Sequence, residues 1–494
     1  MNELVDLIYA PRADWDRLAR SAFNMDVGAR YPRVADLTDK RGGEKRFQLR
    51  VNSDPKDGAV PYAALIPPDQ ELSGPYGGMS FVMFPADEAG YPAVVAMGIG
   101  TNGLAPDEGI LGRPGHARKC AAIAGWLNRG SVGAFAWAKR DPVRIDIDIP
   151  SAVREALAPW SGASGKYGKV LYAIFIPPKE RTKKSEALVA DALRAFMDLF
   201  FDKRRISPKK DAEDDAERVR RGWMNYLLPA TTDDAVAELL TARRFVVIEG
   251  PPGTGKTELA RRILKDRYAG RGRVIQFHPG TTYESFVGGL APRAGGAMGF
   301  TFDATSGHLM DAAIEAIANP KQRFLLVIDE VNRADLAKVL GEAIYLFEPD
   351  QSDRTVTLQY DFPKMGRSFS LPPNLDVIGT MNSADRSIAI LDVAVRRRFA
   401  FVPLWPQLDV VEKLSGDRLR TAFQELMSLF VEHATDDSLA LMPGHSYFLG
   451  DDASASSRLS TGLRPLLEEY LAQGYVAGFA DEIRAYLDRI SQGA

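Results

Sequence analysis

The pattern of apolar and polar residues changes character near residue 223. Before that point, short apolar runs separated by Gly- and Pro-rich turns predict a mixed α/β domain, with strands at 46–51, 79–84, 93–98 and 170–175 and a helix near 117–127. Beyond it, apolar runs at 245–249, 273–277, 324–328, 375–379 and 399–402 alternate with helical or loop sequence. Strands joined by crossovers form parallel sheets, so this region is predicted to be a parallel α/β sheet covered on both faces.

Four segments follow from these patterns. They are an N-terminal mixed α/β domain at 1–178, a helical charged linker at 179–222, a parallel-sheet core at 223–405 and a helical lid at 406–494. The linker opens with an amphipathic helix near 185–201 and continues through 203–221, which is almost wholly charged and polar. The stretch 354–370 alternates around a Pro-Lys-Met-Gly turn and predicts a β-hairpin.

Composition narrows the class of protein. The chain has 494 residues, of which 45% are hydrophobic and 26% charged, with a formal net charge of −3. No global charge excess draws it to nucleic acid or to a membrane. The apolar runs fall far below the roughly 20 residues that span a bilayer, and the N-terminus lacks a signal-peptide layout. One cysteine, Cys120, excludes an intrachain disulfide framework. A cytoplasmic protein without membrane contact is predicted.

The segment Gly250-Pro-Pro-Gly-Thr-Gly-Lys-Thr257 lies between a predicted strand and a predicted helix. Strand, glycine-rich loop and helix in that order are the context of a phosphate-binding loop. Glycines let backbone N–H groups turn towards phosphates, and the helix N-terminus adds partial positive charge. Lys256 would reach the β- and γ-phosphates, and Thr257 would hold Mg²⁺. The predicted nucleotide-binding residues of the loop are Gly250, Pro251, Pro252, Gly253, Thr254, Gly255, Lys256 and Thr257.

Two adjacent acids, Asp329 and Glu330, end the apolar strand 324–328. The carboxyl ends of parallel strands face the ligand. Asp329 is predicted to hold Mg²⁺ together with Thr257, and Glu330 to orient or deprotonate the attacking water. The competing interpretation is a structural pair of acids at a strand end.

A further polar residue, Asn382, ends the apolar strand within Val377-Ile-Gly-Thr-Met-Asn-Ser-Ala-Asp-Arg-Ser387. An amide beside the loop and the acids can hydrogen-bond the γ-phosphate and the attacking water. The competing interpretation is that Asn382 caps the following helix.

Three consecutive arginines occur in Leu391-Asp-Val-Ala-Val-Arg-Arg-Arg-Phe399, directly before the last strand of the sheet. An arginine inserted from a neighbouring subunit can stabilise the transition state of phosphoryl transfer. Arg397 and Arg398 are the candidates, and the sequence does not decide between them. A solvated basic face is the competing interpretation.

Together these motifs resemble the AAA+ domain of the McrB family, the nucleotide-driven motor of modification-dependent restriction systems. The segments Phe277-His-Pro279, Tyr283-Glu-Ser-Phe286 and Met442-Pro-Gly-His-Ser-Tyr-Phe448 strengthen the resemblance, which covers about residues 240–475. Ser383 stands where the family pattern has threonine. His445 lies in this lid motif, although a lone histidine near an aromatic residue is more often part of the packing.

The resemblance implies an AAA+ phosphate-loop fold with a helical lid and hydrolysis of GTP or ATP with Mg²⁺. It also implies a hexameric ring and a McrC-like nuclease partner. In that family Asn382 corresponds to the first sensor, and Arg397 and Arg398 to the region of the trans-acting arginine. The motifs contact phosphates and Mg²⁺, so they leave the choice of base open.

The N-terminal region is expected, from the same resemblance, to read modified DNA. A modest cluster of basic and aromatic residues supports this role, since cations neutralise phosphates and an aromatic ring can stack on an extruded base. Its members are Arg46, Arg50, Trp126, Trp137, Lys139 and the segment Gly112-Arg-Pro-Gly-His-Ala-Arg-Lys119. The competing interpretations are that the tryptophans are core residues and that the domain docks a protein. The one crude match to a nuclease core consists of Asp36, Glu44 and Lys45.

Two alternative functions stay open for the whole protein. One is a MoxR-like chaperone that remodels proteins without a DNA role, and the other is a nucleotide-gated sensor or scaffold with negligible turnover. Binding of DNA would distinguish the restriction motor from the chaperone. Steady-state phosphate release would distinguish it from the sensor or scaffold.

Overall fold

The computed structural model describes residues 1–31, 47–52, 59–66, 70, 74–130, 133–204, 206–295, 299–351, 353–385 and 393–492. They form two compact units. The first unit comprises Met1–Pro229 with Val431–His433, and the second comprises Ala230–Phe430 with Ala434–Ala494. Asp36, Glu44, Lys45, Arg46 and Arg386, named in the motifs above, lie outside the described residues.

The first unit is built on a six-stranded antiparallel sheet. Its strands are β1 (Gln48–Asn52), β2 (Tyr62–Ile66), β3 (Met79–Phe84), β4 (Val94–Ile99), β5 (Phe135–Ala138) and β6 (Leu171–Ile176), in the order β1-β2-β3-β4-β6-β5. The predicted strands correspond to β1, β3, β4 and β6, whereas the short β2 and β5 were not predicted. Both faces of β3, β4 and β6 are buried, which explains their continuous apolar runs.

Helices cover both faces of this sheet. They are α1 (Asn2–Tyr9), α2 (Trp15–Arg30), α3 (Glu108–Leu111), α4 (Pro114–Gly130), α5 (Ser151–Ala156), α6 (Ser161–Tyr167), α7 (Lys183–Asp202) and α8 (Glu213–Leu227). Successive side chains of a strand point to opposite faces. Phe81 therefore packs in the core with α1, α2, α4 and α7, while its neighbour Val82 packs in the core with α5 and α6.

The predicted charged linker is part of the first unit, whose boundary moves from residue 178 to Pro229. The amphipathic helix is present as α7, and its Phe196 and Phe200 are fully buried in the main core. Helix α8 is attached by its buried Val219, which lies in the main core, and by Arg218, which donates to both carboxylate oxygens of Asp191 on α7 over 2.9 and 2.5 Å. Charged residues of this run thus form ion pairs between α8 and α7.

The second unit contains the predicted parallel sheet. Its strands are β7 (Phe245–Gly250), β8 (Gly272–Gln276), β11 (Phe324–Asp329), β14 (Leu375–Asn382) and β15 (Ala400–Pro403), in the order β15-β7-β14-β11-β8, and all neighbours are parallel. All five match the predicted strands closely. The order brings the ends of β7, β14 and β11 side by side.

Helices flank this sheet and make up the C-terminal part. They are α9 (Asp233–Arg243), α10 (Lys256–Arg267), α11 (Tyr283–Phe286), α12 (His308–Ala318), α13 (Leu336–Leu340), α14 (Val393–Arg396), α15 (Leu408–Leu414), α16 (Asp417–His433), α17 (Asp436–Leu439), α18 (Asp452–Arg458), α19 (Arg464–Ala472) and α20 (Ala480–Gln492). The helical lid is therefore present. Within the described ranges, no helix combines the length and apolar character needed to cross a bilayer.

Two antiparallel hairpins interrupt the second unit. The predicted hairpin consists of β12 (Val356–Phe362) and β13 (Gly366–Phe369). The other consists of β9 (Gly288–Ala294) and β10 (Phe300–Ser306). It escaped prediction because its strands contain glycine, proline and charged residues, which give only a weak alternating signal.

Candidate functional site

The glycine-rich loop joins β7 to α10. Gly253 and Gly255 both have φ of +81°, a conformation that glycine adopts without steric cost. Gly255 is the residue that precedes the first turn of α10. The N–H groups of that turn have no partners within the helix, so this end of the loop attracts anions.

Lys256 begins α10, and its side chain folds back over the loop. Its Nζ donates to the carbonyl oxygens of Gly250 and Pro251 over 2.9 and 2.8 Å. Burial lowers the pKa of Lys256 to about 8, although the nearby carboxylates of Glu330 and Asp329 favour the charged form. An ammonium group has three donors, so this geometry leaves one for another acceptor.

Three side chains from α10, β11 and β14 meet at one carboxylate oxygen. Asp329 Oδ1 accepts from Thr257 Oγ1 over 2.7 Å and from Thr380 Oγ1 over 2.5 Å. A carboxylate beside a hydroxyl offers the hard oxygen ligands that Mg²⁺ prefers, with phosphate oxygens and water completing its shell. No cluster of three or more His, Cys, Asp or Glu that could hold a metal alone occurs in the described part of the chain.

Glu330 occupies a strained position at the end of β11. Its φ of +56° lies in the left-handed region, which is uncommon for a side-chain-bearing residue and is typically found at functional sites. Thr380 holds this conformation, because its hydroxyl accepts the N–H of Glu330 over 3.1 Å. Burial raises the pKa of the Glu330 carboxyl, and Oε2 has no hydrogen-bond partner among the described residues. A desolvated carboxylate of raised pKa suits a general base.

Asn382 lies at the same edge of the sheet, paired in register with Gly250. Its Oδ1 accepts the N–H of Ala384 over 3.2 Å, and Asn332 donates its amide to the Asn382 carbonyl over 3.2 Å. The side-chain oxygen thus organises the turn after β14. Among the described residues no helix begins at Asn382, so the helix cap of the competing interpretation is not seen. Its sensor role stays a prediction.

The sheet end therefore contains three of the predicted elements: the lysine, the acid pair and the amide. Sequence reasoning missed Thr380 and Asp385, although both lie inside the motif it singled out. Asp385 is close enough to Lys256 and Glu330 to affect the pKa of both.

The candidate arginines differ in exposure. Arg397 is 65% exposed and lies 3.8 Å from the carboxylate of Glu348. Arg398 is only 7% exposed, lies 3.4 Å from the same carboxylate and donates to the Ala394 carbonyl over 2.7 Å. Arg354 also pairs with Glu348 over 3.4 Å. Among the described residues, neither candidate forms a hydrogen bond or ion pair with the loop or the acid pair.

Residues 444–448, here named the lid segment, run along the glycine-rich loop. The N–H of Gly444 donates to the Pro252 carbonyl over 2.8 Å, and the N–H of Ser446 donates to the Gly253 carbonyl over 3.0 Å. A Cβ on Gly444 would lie 2.0 Å from the carbonyl carbon of Gly253, so only glycine allows this approach. The loop is thus packed against the lid by backbone hydrogen bonds.

Several members of the basic and aromatic cluster predicted in the first unit have structural roles. Lys139 is buried and donates to three backbone carbonyls over 2.7 to 2.9 Å, which is a structural role. Trp126 and Trp137 pack against the cores, as the competing interpretation expected. His116 is also buried.

Arg50 is the member of that cluster that lines a cavity. The cavity has a volume of about 360 Å³, and its wall contains the rings of Tyr62, Tyr76, Phe84 and Tyr167. The Arg50 guanidinium lies 5.3 Å from the centre of the Tyr76 ring and donates from Nη2 to the Gly74 carbonyl over 2.9 Å. Its buried Nη1 has no partner among the described residues. Aromatic walls and a free donor fit a planar ligand with hydrogen-bond acceptors.

Comparison with known proteins agrees with the geometry of the second unit. Residues 245–399 match the family model described as "AAA domain (dynein-related subfamily)". These residues include the loop, the acid pair, Asn382 and both candidate arginines.

Two similar proteins come from restriction systems. The chain is 29% identical over 351 residues to the "Type IV methyl-directed restriction enzyme EcoKMcrB subunit" of Escherichia coli (strain K12), covering 65% of this chain and 75% of that protein. It is 29% identical over 189 residues to the "Type II restriction enzyme BsuMI component YdiS" of Bacillus subtilis (strain 168), covering 31% and 55%. Among solved structures, C. elegans PCH-2 matches 40% of this chain and 42% of its own, with 16% identity and a TM-score of 0.19.

Proposed function

We propose that this chain is a McrB-like AAA+ protein and acts as a ring-forming nucleoside triphosphatase that serves a modification-dependent DNA restriction system. The hydrogen bonds that join Thr257, Asp329 and Thr380 at the sheet end support this proposal most directly. They bring a hydroxyl and a carboxylate together beside a loop whose backbone favours anions. The substrate is GTP or ATP.

In the proposed reaction, Lys256 and the loop N–H groups bind the phosphate chain. Thr257 and Asp329 would hold Mg²⁺, which when bound supplies positive charge next to the phosphates. Glu330 accepts the proton of the attacking water, and Asn382 orients that water. Arg397 or Arg398 from the adjacent protomer neutralises charge that develops in the transition state.

Two substitutions test the nucleotide chemistry. Lys256→Ala removes the cation of the loop and is expected to abolish binding of a fluorescent triphosphate. Glu330→Gln keeps the shape of the side chain but removes the base, so binding should persist while steady-state phosphate release falls about 100-fold or more. Equal hydrolysis by the wild type and Glu330→Gln would refute the catalytic assignment.

We further propose that the first unit reads DNA by taking a base into the Arg50 cavity. An aromatic-walled pocket of this size can stack an extruded base, and Arg50 Nη1 can donate to its edge. In this proposal the nucleoside triphosphatase recruits a McrC-like nuclease to the modified DNA.

Mobility shifts of the full chain on modified and unmodified duplexes test this DNA role. Tyr76→Ala and Arg50→Ala should each weaken binding of the modified duplex about 10-fold or more. Arg144→Ala is the matched control, because Arg144 carries the same charge, is 52% exposed and does not line the cavity. If the wild type binds neither duplex, the chaperone alternative is favoured.

A further inference from the structure

His445 lies in the lid segment, between the two backbone hydrogen bonds that attach it to the loop. Gly444 on one side and Ser446 on the other donate to loop carbonyls. The backbone of His445 is therefore fixed relative to the loop. Only 9% of the residue is exposed.

The ring of His445 has a defined tautomer. Its Nδ1 accepts the backbone N–H of Gln407 over 3.3 Å, so the proton of the neutral ring lies on Nε2. Burial lowers the pKa of His445 to about 4, and the ring is therefore neutral near pH 7. The His445 ring therefore offers an uncharged N–H donor at Nε2 and carries no positive charge.

That donor faces the glycine-rich loop. Nε2 lies 3.7 Å from the point that a Cβ on Gly255 would occupy. Among the described residues, Nε2 has no hydrogen-bond acceptor. Gly255 precedes the first turn of α10, where free N–H groups favour phosphate oxygens. A phosphate oxygen next to Gly255 would therefore be in reach of the Nε2–H group.

We propose that His445 is a nucleotide-binding residue whose Nε2–H donates to the phosphate chain held over Gly255. The inference rests on the proposed function and adds a lid contact to it. Through this bond the lid and the loop hold the same ligand, so nucleotide binding stabilises their contact. Because the donor contacts a phosphate oxygen and not the base, it would bind adenine and guanine nucleotides equally.

Two isosteric substitutions separate binding from packing. His445→Asn keeps an acceptor near the Nδ1 position for the Gln407 N–H but has no atom at Nε2. His445→Gln keeps a donor near Nε2 but loses the acceptor. We expect the dissociation constant of a non-hydrolysable triphosphate to rise about 5- to 10-fold in His445→Asn and less than about 2-fold in His445→Gln.

The matched control is His308→Ala, which removes an exposed histidine at the start of α12 and should leave affinity unchanged. Thermal unfolding is measured for each variant. Wild-type affinity in His445→Asn would overturn the inference. So would equal weakening in both variants accompanied by a lower melting temperature, because the ring would then act through packing alone. Failure of the wild type to bind nucleotide would instead refute the proposed function.

Discussion

At the residue scale, Thr380 connects the two acids of the site. Its hydroxyl donates to the carboxylate of Asp329 and accepts the backbone N–H of Glu330, so it positions the Asp329 carboxylate and the Glu330 backbone. At 1% exposure it has no contact with solvent. The acid pair therefore depends on a buried hydroxyl two residues before Asn382.

Thr380→Val removes that hydroxyl while keeping the shape of the side chain. Because a buried N–H and a carboxylate lose partners, we expect the free energy of unfolding to fall by about 1–3 kcal/mol. Turnover should fall about 10- to 100-fold, since Glu330 is displaced while the loop is intact. Urea unfolding and phosphate release measure the two effects. Thr380→Ser is the control, and a fully active Thr380→Val would contradict this role.

Lys256 gives the nucleotide affinity a predicted pH dependence. Burial lowers its pKa to about 8, so the ammonium is charged below that pH and is lost as the pH rises above it. Phosphate binding needs the charge, and affinity should therefore decline above pH 8 by up to about 10-fold per pH unit. Calorimetry in buffers of different ionisation enthalpy should detect proton uptake on binding above pH 8. A constant affinity from pH 7 to 9.5 would contradict the lowered pKa.

At the element scale, two backbone hydrogen bonds join the lid segment to the loop. Glycine at position 444 allows two backbones to approach within hydrogen-bonding distance. The lid helices can therefore respond to what the loop binds.

Gly444→Ala tests this coupling. Its new Cβ would lie 2.0 Å from a backbone atom of Gly253, so the lid segment or the loop must move. We expect nucleotide affinity to fall about 10-fold or more and the free energy of unfolding to fall by about 1–3 kcal/mol. Gly478→Ala is the control, since nothing lies within 4 Å of its Cβ position in the lid. Fluorescent-nucleotide titration and thermal unfolding provide the measurements, and unchanged affinity would show that the segment does not shape the loop.

At the scale of the whole molecule, the proposed ring requires an arginine of one protomer to complete the site of another. Glu348 pairs with both candidates, but Arg398 is buried and Arg397 is largely exposed. Arg397 is thus the better candidate for reaching a neighbouring subunit, with Arg398 and Glu348 as its support.

Mixing two inactive variants tests the shared site. Glu330→Gln protomers lack the base but keep Arg397, and Arg397→Ala protomers have the reverse defect. In a random one-to-one ring, about a quarter of the interfaces would combine an intact Glu330 with an intact Arg397. We expect the mixture to recover phosphate release to about that fraction of wild type. A mixture of Arg354→Ala protomers and Glu330→Gln protomers is the reference, because Arg354 is another cation that pairs with Glu348. No recovery in rings that bind nucleotide would contradict the trans arrangement.

Most of the second unit was predictable because its signals are local. Each parallel strand is a compact apolar run, and the loop motif follows β7 directly along the chain. The hairpin of β9 and β10 was missed because exposed strands lack such runs. The charged stretch that contains α8 was predicted to be a helical linker, and its helix is present. Its pairing with α7 was not predictable, because the bond between Arg218 and Asp191 appears only once the chain has folded.

The phosphate-binding loop, the acid pair and the five parallel strands could be predicted from the amino-acid sequence, because they depend on neighbours along the chain and on apolar runs of strand length. The order β15-β7-β14-β11-β8 that brings them together came from the folded structure. Tertiary structure alone decided that Thr380 bridges the acids, that Arg397 is exposed while Arg398 is buried, and that His445 faces the loop. Those relations join residues tens to hundreds of positions apart. They arise from sheet register and lid packing, which local sequence patterns do not encode.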